Sequence, residues 1–145
     1  LNLCAQFLPM IIMERLYGPG WDIDMLCQKG QALTVVPRRR IVPSGTPFLG
    51  CIVERNQDLI RLGSEVARAF DLSWLVDVDV MSSKNGDPYI IEINPRASGG
   101  VTAAIAAGIP LFDDLVALHL GVTCSNIEVP RRRRVIPYMS VVACD

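Results

Sequence analysis

The stretch LVDVDVMSSKNGDPYIIEINPRASGG, residues 75–100, decides how the rest of the chain reads. In Leu75–Met81, valines at 76, 78 and 80 alternate with aspartates at 77 and 79, and Tyr89–Ile93 alternates in the same way, the period-two signature of half-buried strands. Between them, Asn85-Gly86 favours the left-handed backbone of a two-residue hairpin turn. Such a turn pairs residues whose numbers total 171, so Asp79 faces Glu92, Asp77 faces Asn94, and all four share one face. Carboxylates opposed in this way have Cβ atoms about 4.5–5.5 Å apart and repel. A hard divalent cation is the simplest compensator, because Mg²⁺ takes oxygen ligands at about 2.0–2.1 Å, typically one or two carboxylates with phosphate oxygens and water. Asp79, Glu92 and Asn94 supply such oxygens. Without a cation the same alternation describes the solvated face of an amphipathic hairpin.

The residues that follow favour the cation. Arg96 stands two places beyond Asn94, so an extended chain aims its guanidinium toward the carboxylate side, and a planar charged fork suits a phosphate held by metal. Ser98-Gly99-Gly100 leads into a helical segment and offers backbone N–H groups to an anion, although glycines before a helix are more often turn formers.

Working outward, Trp21–Cys27 alternates as a strand, with Trp21, Ile23 and Met25 on one face and Asp22, Asp24 and Leu26 on the other. Lys29-Gly30 turns it into a partner strand over Ala32–Val36. Upstream, the apolar run Leu8–Leu16 reads as a strand stopped by Gly18-Pro19-Gly20. Residues 37–50, rich in Pro, Gly, Ser and Arg, read as a loop or irregular edge. Asn56 is a candidate N-cap for a helix through Leu59, Ile60, Leu62, Val66, Ala67 and Phe70 up to Asp71. Two short helices follow, Val101–Ala107 and Leu111–Leu120, broken by Gly108 and Pro110. Val135–Ala143 returns as a final strand. The order of elements predicts an α+β fold with a mostly antiparallel sheet packed against helices, in a single domain over residues 1–145.

Composition narrows the function classes. A net charge of −1 and 6% aromatic residues argue against nucleic-acid binding despite the arginine clusters at 38–40 and 131–134. No run reaches the roughly 18–20 apolar residues of a membrane span, and no secretory leader is recognisable. Five scattered cysteines, Cys4, Cys27, Cys51, Cys124 and Cys144, fit reduced thiols in a cytoplasmic protein. His119 and the two tryptophans, Trp21 and Trp74, read as structural residues. Arg131–Arg134 reads as a surface charge run, and Arg38–Arg40 reads either as a solvated loop or, through Arg38 or Arg40 on alternate positions of an extended segment, as a contact to substrate or triphosphate.

The string IIEINPRASGG, preceded by VDVM and a Lys-Asn-Gly turn, resembles the ATP-grasp superfamily, with its strongest likeness to carbamoyl-phosphate synthase large-chain-like and biotin-carboxylase-like ligases. The resemblance implies that Asp79, Glu92 and Asn94 hold the Mg²⁺, or Mn²⁺, that bridges ATP phosphates, and that Arg96 is a catalytic arginine orienting phosphate or acyl phosphate. Met13-Glu14-Arg15-Leu16-Tyr17 is similar to the family's hinge strand. By that likeness Glu14 is a ribose contact, while Arg15 to Tyr17 contribute main-chain groups to the nucleotide. The next segment, GPGWDIDML, has Gly20 where the family usually carries Glu. With decreasing specificity, the likeness runs from about Ile11 to Gly121. It implies an ATP-dependent ligase that phosphorylates a small carboxylate or bicarbonate for attack by an amine or other nucleophile.

The family's lysine-bearing, glycine-loop subdomain and the α/β domain before it have no counterpart in this sequence. The chain is therefore expected to be a fragment that holds metal or nucleotide weakly and does not turn over ATP alone, its partners being the remaining domains and a second copy in a homo-oligomer. Two rivals stand beside this reading: a retaining glycosidase using Asp79 and Glu92 as a carboxyl pair, and a non-catalytic nucleotide-sensing or assembly module.

Overall fold

The computed structural model describes residues 12–41 and 50–138. Its elements are β1 (Gly20–Gln28), β2 (Gln31–Arg40), β3 (Cys51–Glu54), α1 (Gln57–Ala69), β4 (Trp74–Ser82), β5 (Pro88–Asn94), α2 (Val101–Ala106), α3 (Leu111–His119) and β6 (Arg132–Val135). The strands form one sheet in the order β5-β4-β1-β2-β3-β6, and every neighbouring pair is antiparallel. The architecture is the expected α+β arrangement.

Alternation along the strands builds two cores. Trp21, Ile23, Met25, Val35, Val76, Val78 and Val80 pack under Leu59, Val66 and Ala67 of α1. Leu26, Val36, Val53 and Leu75 pack with Val101, Ala104, Ile109 and Leu111 of the α2–α3 segment. Fully burying a side chain such as Ile23 or Val78 contributes roughly 1.5–3 kcal/mol. Asn56 caps α1 as expected, its side chain accepting from the N–H groups of Asp58 and Leu59 at 3.1 and 3.2 Å. At Gly63 a Cβ would lie 2.9 Å from both Met25 Sδ and Val35 Cγ1, so glycine lets α1 sit close on the sheet.

Several sequence expectations change. Gln31–Arg40 is strand throughout, including Pro37 and the arginines that composition assigns to a loop. Pro37 stands where β3 does not yet flank β2, since that pairing begins at Arg38, so its missing N–H is tolerated on the open side. Cys51–Glu54 forms a strand too short to show alternation. The last described strand is the arginine run Arg132–Val135 itself, while residues 136–138 are irregular and 139–143 lie outside the described residues. Residues 12–16 are irregular backbone rather than strand, exposed except at the half-buried Leu16, with no partner strand among the described residues, and 8–11 lie outside them.

The hairpin reaches the expected register by a different route. Its connection is the five-residue loop 83–87, closed by Ser83 N–H donating to the Asp87 carbonyl at 2.8 Å, with Gly86 supplying the positive φ of 94°. Val80 therefore pairs with Ile90, and one extra residue, Ile91, bulges before Asp79 meets Glu92 and Asp77 meets Asn94.

His119 is exposed at the end of α3 rather than buried in an apolar pattern, its ring tilted against Trp74 at 6.1 Å. Trp74 is half-exposed, so of the two tryptophans only Trp21 is a core residue. Cys27, Cys51 and Cys124 are unpaired. Among the described residues no helix is long and apolar enough to cross a membrane.

Candidate metal centre

On the sheet face opposite α1, the apolar floor beneath α2 and α3 gives way to charge. Asp22 pairs in register with Asp79, and Asp24 with Asp77. Joined to the hairpin, this makes two rows: Glu92, Asp79, Asp22 and Arg38 across β5, β4, β1 and β2, and beside it Asn94, Asp77 and Asp24. Three consecutive carboxylates in one row run against the repulsion of like cross-strand pairs. Two arginines of β2 compensate one flank. Arg40 Nη2 donates to Asp22 at 2.6 Å and to Asp79 at 2.9 Å. Arg38, only 2% exposed, bonds to both oxygens of Asp24, lies 3.5 Å from Asp22 and donates to Ser98 Oγ at 2.9 Å.

The other flank is under-compensated. Carboxylate oxygens of Asp22, Asp77 and Asp79 lie within 4.8 Å of one another. Asp77 Oδ1 is buried without a hydrogen-bond partner, and its other oxygen is 3.9 Å from Arg96 Nη1. Burial, followed by the charges of Asp24, Asp79 and Asp22, pushes the Asp77 carboxyl up to about 7 against the pull of Arg38. Burial also opposes charge on Asp22, but its hydrogen bond to Arg40 and the charges of Arg38 and Arg40 outweigh that and hold it low. Asp79 receives a smaller share of Arg40, and burial raises it. Arg38, although burial works against its charge, is held firmly protonated by Asp24.

These residues fit a hard divalent ion. All donors are oxygens, one buried oxygen lacks a partner, and ligands on opposite sides of an octahedral Mg²⁺ lie about 4.2 Å apart, close to the observed grouping. Of the residues singled out in the sequence, Asp79 belongs to this trio. Glu92, exposed on edge strand β5, and Asn94, half-buried, stand beside Asp79 and Asp77 in register, with the Glu92 carboxylate outside the trio. Arg96 is largely exposed beside Asp77, its Nη1 donating to the Ala97 carbonyl at 3.0 Å. Glu14, Arg15 and Tyr17 lie on exposed chain before β1, where Arg15 and Lys84 flank the Tyr17 ring at 5.1 and 4.9 Å. Asp77 was placed on this face from the sequence but not assigned to an ion, and Asp22 was missed. The signal for Asp22, aspartates alternating on one face of β1, is present in Trp21–Cys27 but becomes meaningful only once β1 lies beside β4.

Asp77 also makes stability depend on pH. Its folded value near 7 exceeds the unfolded 3.8, so the folded state holds the extra proton between these values and stability falls as pH rises through that window. Asp77→Asn should therefore melt higher than the parent chain at pH 8 without metal. That advantage should shrink below pH 7 and vanish near pH 4; thermal melts in chelator across this range check it.

The sheet thus gathers carboxylates and an asparagine on one face of two hairpins. A profile of the family described as "ATP-grasp in the biosynthetic pathway with Ter operon" matches residues 6–142, and the chain belongs to that family. Similar folds occur in an L-amino acid ligase from Bacillus licheniformis (19% identity, TM-score 0.57, covering 86% of this chain and 35% of that one). They occur also in the biotin carboxylase domain of a single-chain bacterial carboxylase (17% identity, TM-score 0.61, 86% and 33% covered). An ATP-grasp superfamily protein from Archaeoglobus fulgidus is 25% identical with a TM-score of 0.54, over 89% of this chain and 44% of that one. The chain thus spans less than half the length of each of these structures. No curated protein matches it.

Proposed function

We infer that residues 1–145 form one domain, the carboxyl-terminal, metal-holding part of an ATP-dependent ligase. In the longer enzyme, the γ-phosphoryl of ATP passes to a small carboxylate or bicarbonate, leaving ADP, and an amine or other nucleophile attacks the acyl carbon and displaces phosphate, in the manner of carbamoyl-phosphate synthase. The observation that carries this reading is the unbroken row Glu92–Asp79–Asp22 beside the unpartnered Asp77 oxygen. Family membership supports it, as does the likeness to a biotin carboxylase from Campylobacter jejuni whose structure was solved as a β,γ-ATP complex (15% identity, TM-score 0.61, 78% and 28% covered).

Asp79, Glu92 and Asn94 are the residues assigned to the ion, Mg²⁺ or Mn²⁺, with Asp22 and Asp77 completing the oxygen set. A bound ion supplies screening of phosphate charge during transfer. Arg96, largely exposed beside Asp77, is the group assigned to the transferring phosphoryl. Glu14 and the main chain of Arg15 and Tyr17 are assigned to the nucleoside. Arg40 bridges Asp22 and Asp79 and sets their charge. Arg38 is too deeply buried to reach a triphosphate; instead it anchors Ser98 and so the loop that carries Arg96. Gly100 belongs to that anchor, since a Cβ there would lie 2.6 Å from Arg38 Nη1. Trapping of the acyl phosphate by hydroxylamine, in the longer enzyme and in its Glu92→Gln variant, tests the reading.

A further inference from the structure

The α1 side of the sheet brings the two arginine clusters of the sequence together. Arg39 of β2 and Arg134 of β6 both stand opposite Ile52 of β3, so one row across three strands reads arginine, isoleucine, arginine. Arg132 stands opposite Glu54 in the neighbouring row. Arg39, Ile41, Ile52, Arg132 and Arg134 line an open cavity of about 430 Å³, within the size range of small-ligand sites.

Charge in this cavity is unbalanced. Among the described residues Glu54 is the one carboxylate paired with these arginines, 3.1 Å from Arg39 and 3.7 Å from Arg132, and Arg134 has no ion pair. The opposite face differs: there Arg38 and Arg40 rest on aspartates, and Arg133 donates to the Ala107 carbonyl at 2.7 Å. The excess is local, in a chain of net charge −1. Cationic side chains on an edge strand also deter sheet extension. That role does not require guanidinium groups from two strands to surround an apolar floor.

We propose that this cavity binds a small phosphomonoester bearing an apolar group. Arg39, Arg132 and Arg134 receive the phosphate, and Ile41 and Ile52 receive the apolar part. Three guanidiniums less Glu54 leave two positive charges, matching a phosphomonoester dianion, and the planar fork suits its oxygens. The site is separate from the metal centre and does not depend on the ligase reading.

Calorimetry with phenyl phosphate and with inorganic phosphate, both in chelator so that the carboxylate face takes no part, tests it. Phenyl phosphate should bind one per chain, at least tenfold more tightly than inorganic phosphate. Arg134→Gln should weaken it at least tenfold, and Arg132→Gln should act alike, whereas Arg131→Gln, outside the cavity lining, should leave it unchanged. Arg134 holds no ion pair among the described residues, so its variant should keep the parent melting temperature. Absence of phenyl phosphate binding, equal affinity for both anions (an adventitious ion only), or full affinity in Arg134→Gln would overturn the proposal.

Discussion

Under the proposed function, replacing Glu92 with Gln in the proposed longer ligase should lower acyl-phosphate formation by about 10²–10³-fold or more, the loss seen when one group that stabilises transition-state charge is removed. The substitution keeps the side-chain shape and removes one negative charge from the set assigned to the ion. In the metal-free chain its effect should run the other way. Glu92 opposes Asp79, so neutralising it relieves a like-charge pair worth roughly 0.2–1 kcal/mol. A lost reaction in a fold that is no less stable separates a functional carboxylate from a structural one. Retained acyl-phosphate formation would remove Glu92 from the site.

The second large effect concerns Arg38. Arg38→Met leaves Asp24, 2% exposed, as a buried charge without its partner, and should cost about 3–5 kcal/mol. The remaining charge, rather than lost packing, is the cause. A second substitution, Asp24→Leu, should therefore restore most of the loss, since well-packed apolar replacements for buried ion pairs are often neutral. Urea unfolding of the two single variants and the double variant measures this. Additive losses would show that shape, not charge, dominates at this position.

Much of this was legible in residues 75–100. The alternation of valine with aspartate placed Asp79 against Glu92 and Asp77 against Asn94, and the structure has those pairs. The predicted reason was incomplete: a longer loop shifts the register by one, and the bulge at Ile91 shifts it back. Local alternation reports which face a residue takes, and a bulge conserves that over the paired stretch while hiding the turn. What the sequence could not display was adjacency between strands far apart in the chain. Asp22 and Asp24 read as one polar face of a hairpin, and only the placement of β1 beside β4 turns them into part of a carboxylate array. The same limit concealed Arg38. A run of three arginines after proline resembles a solvated loop, yet cross-strand aspartates make one of them interior. Arg132–Val135 escaped notice as a strand because an edge strand needs no apolar alternation on its solvated face.

Uptake of Mn²⁺ by the metal-free chain at pH 8, followed through the paramagnetic resonance signal of the free ion, addresses the carboxylate face most directly. One ion should be taken up per chain at millimolar Mn²⁺, and Asp79→Asn should weaken that uptake by at least about tenfold, because ligand charge tunes the affinity of such sites. No uptake by the parent chain, or uptake that Asp79→Asn leaves untouched, would contradict the assignment of this face to a divalent cation.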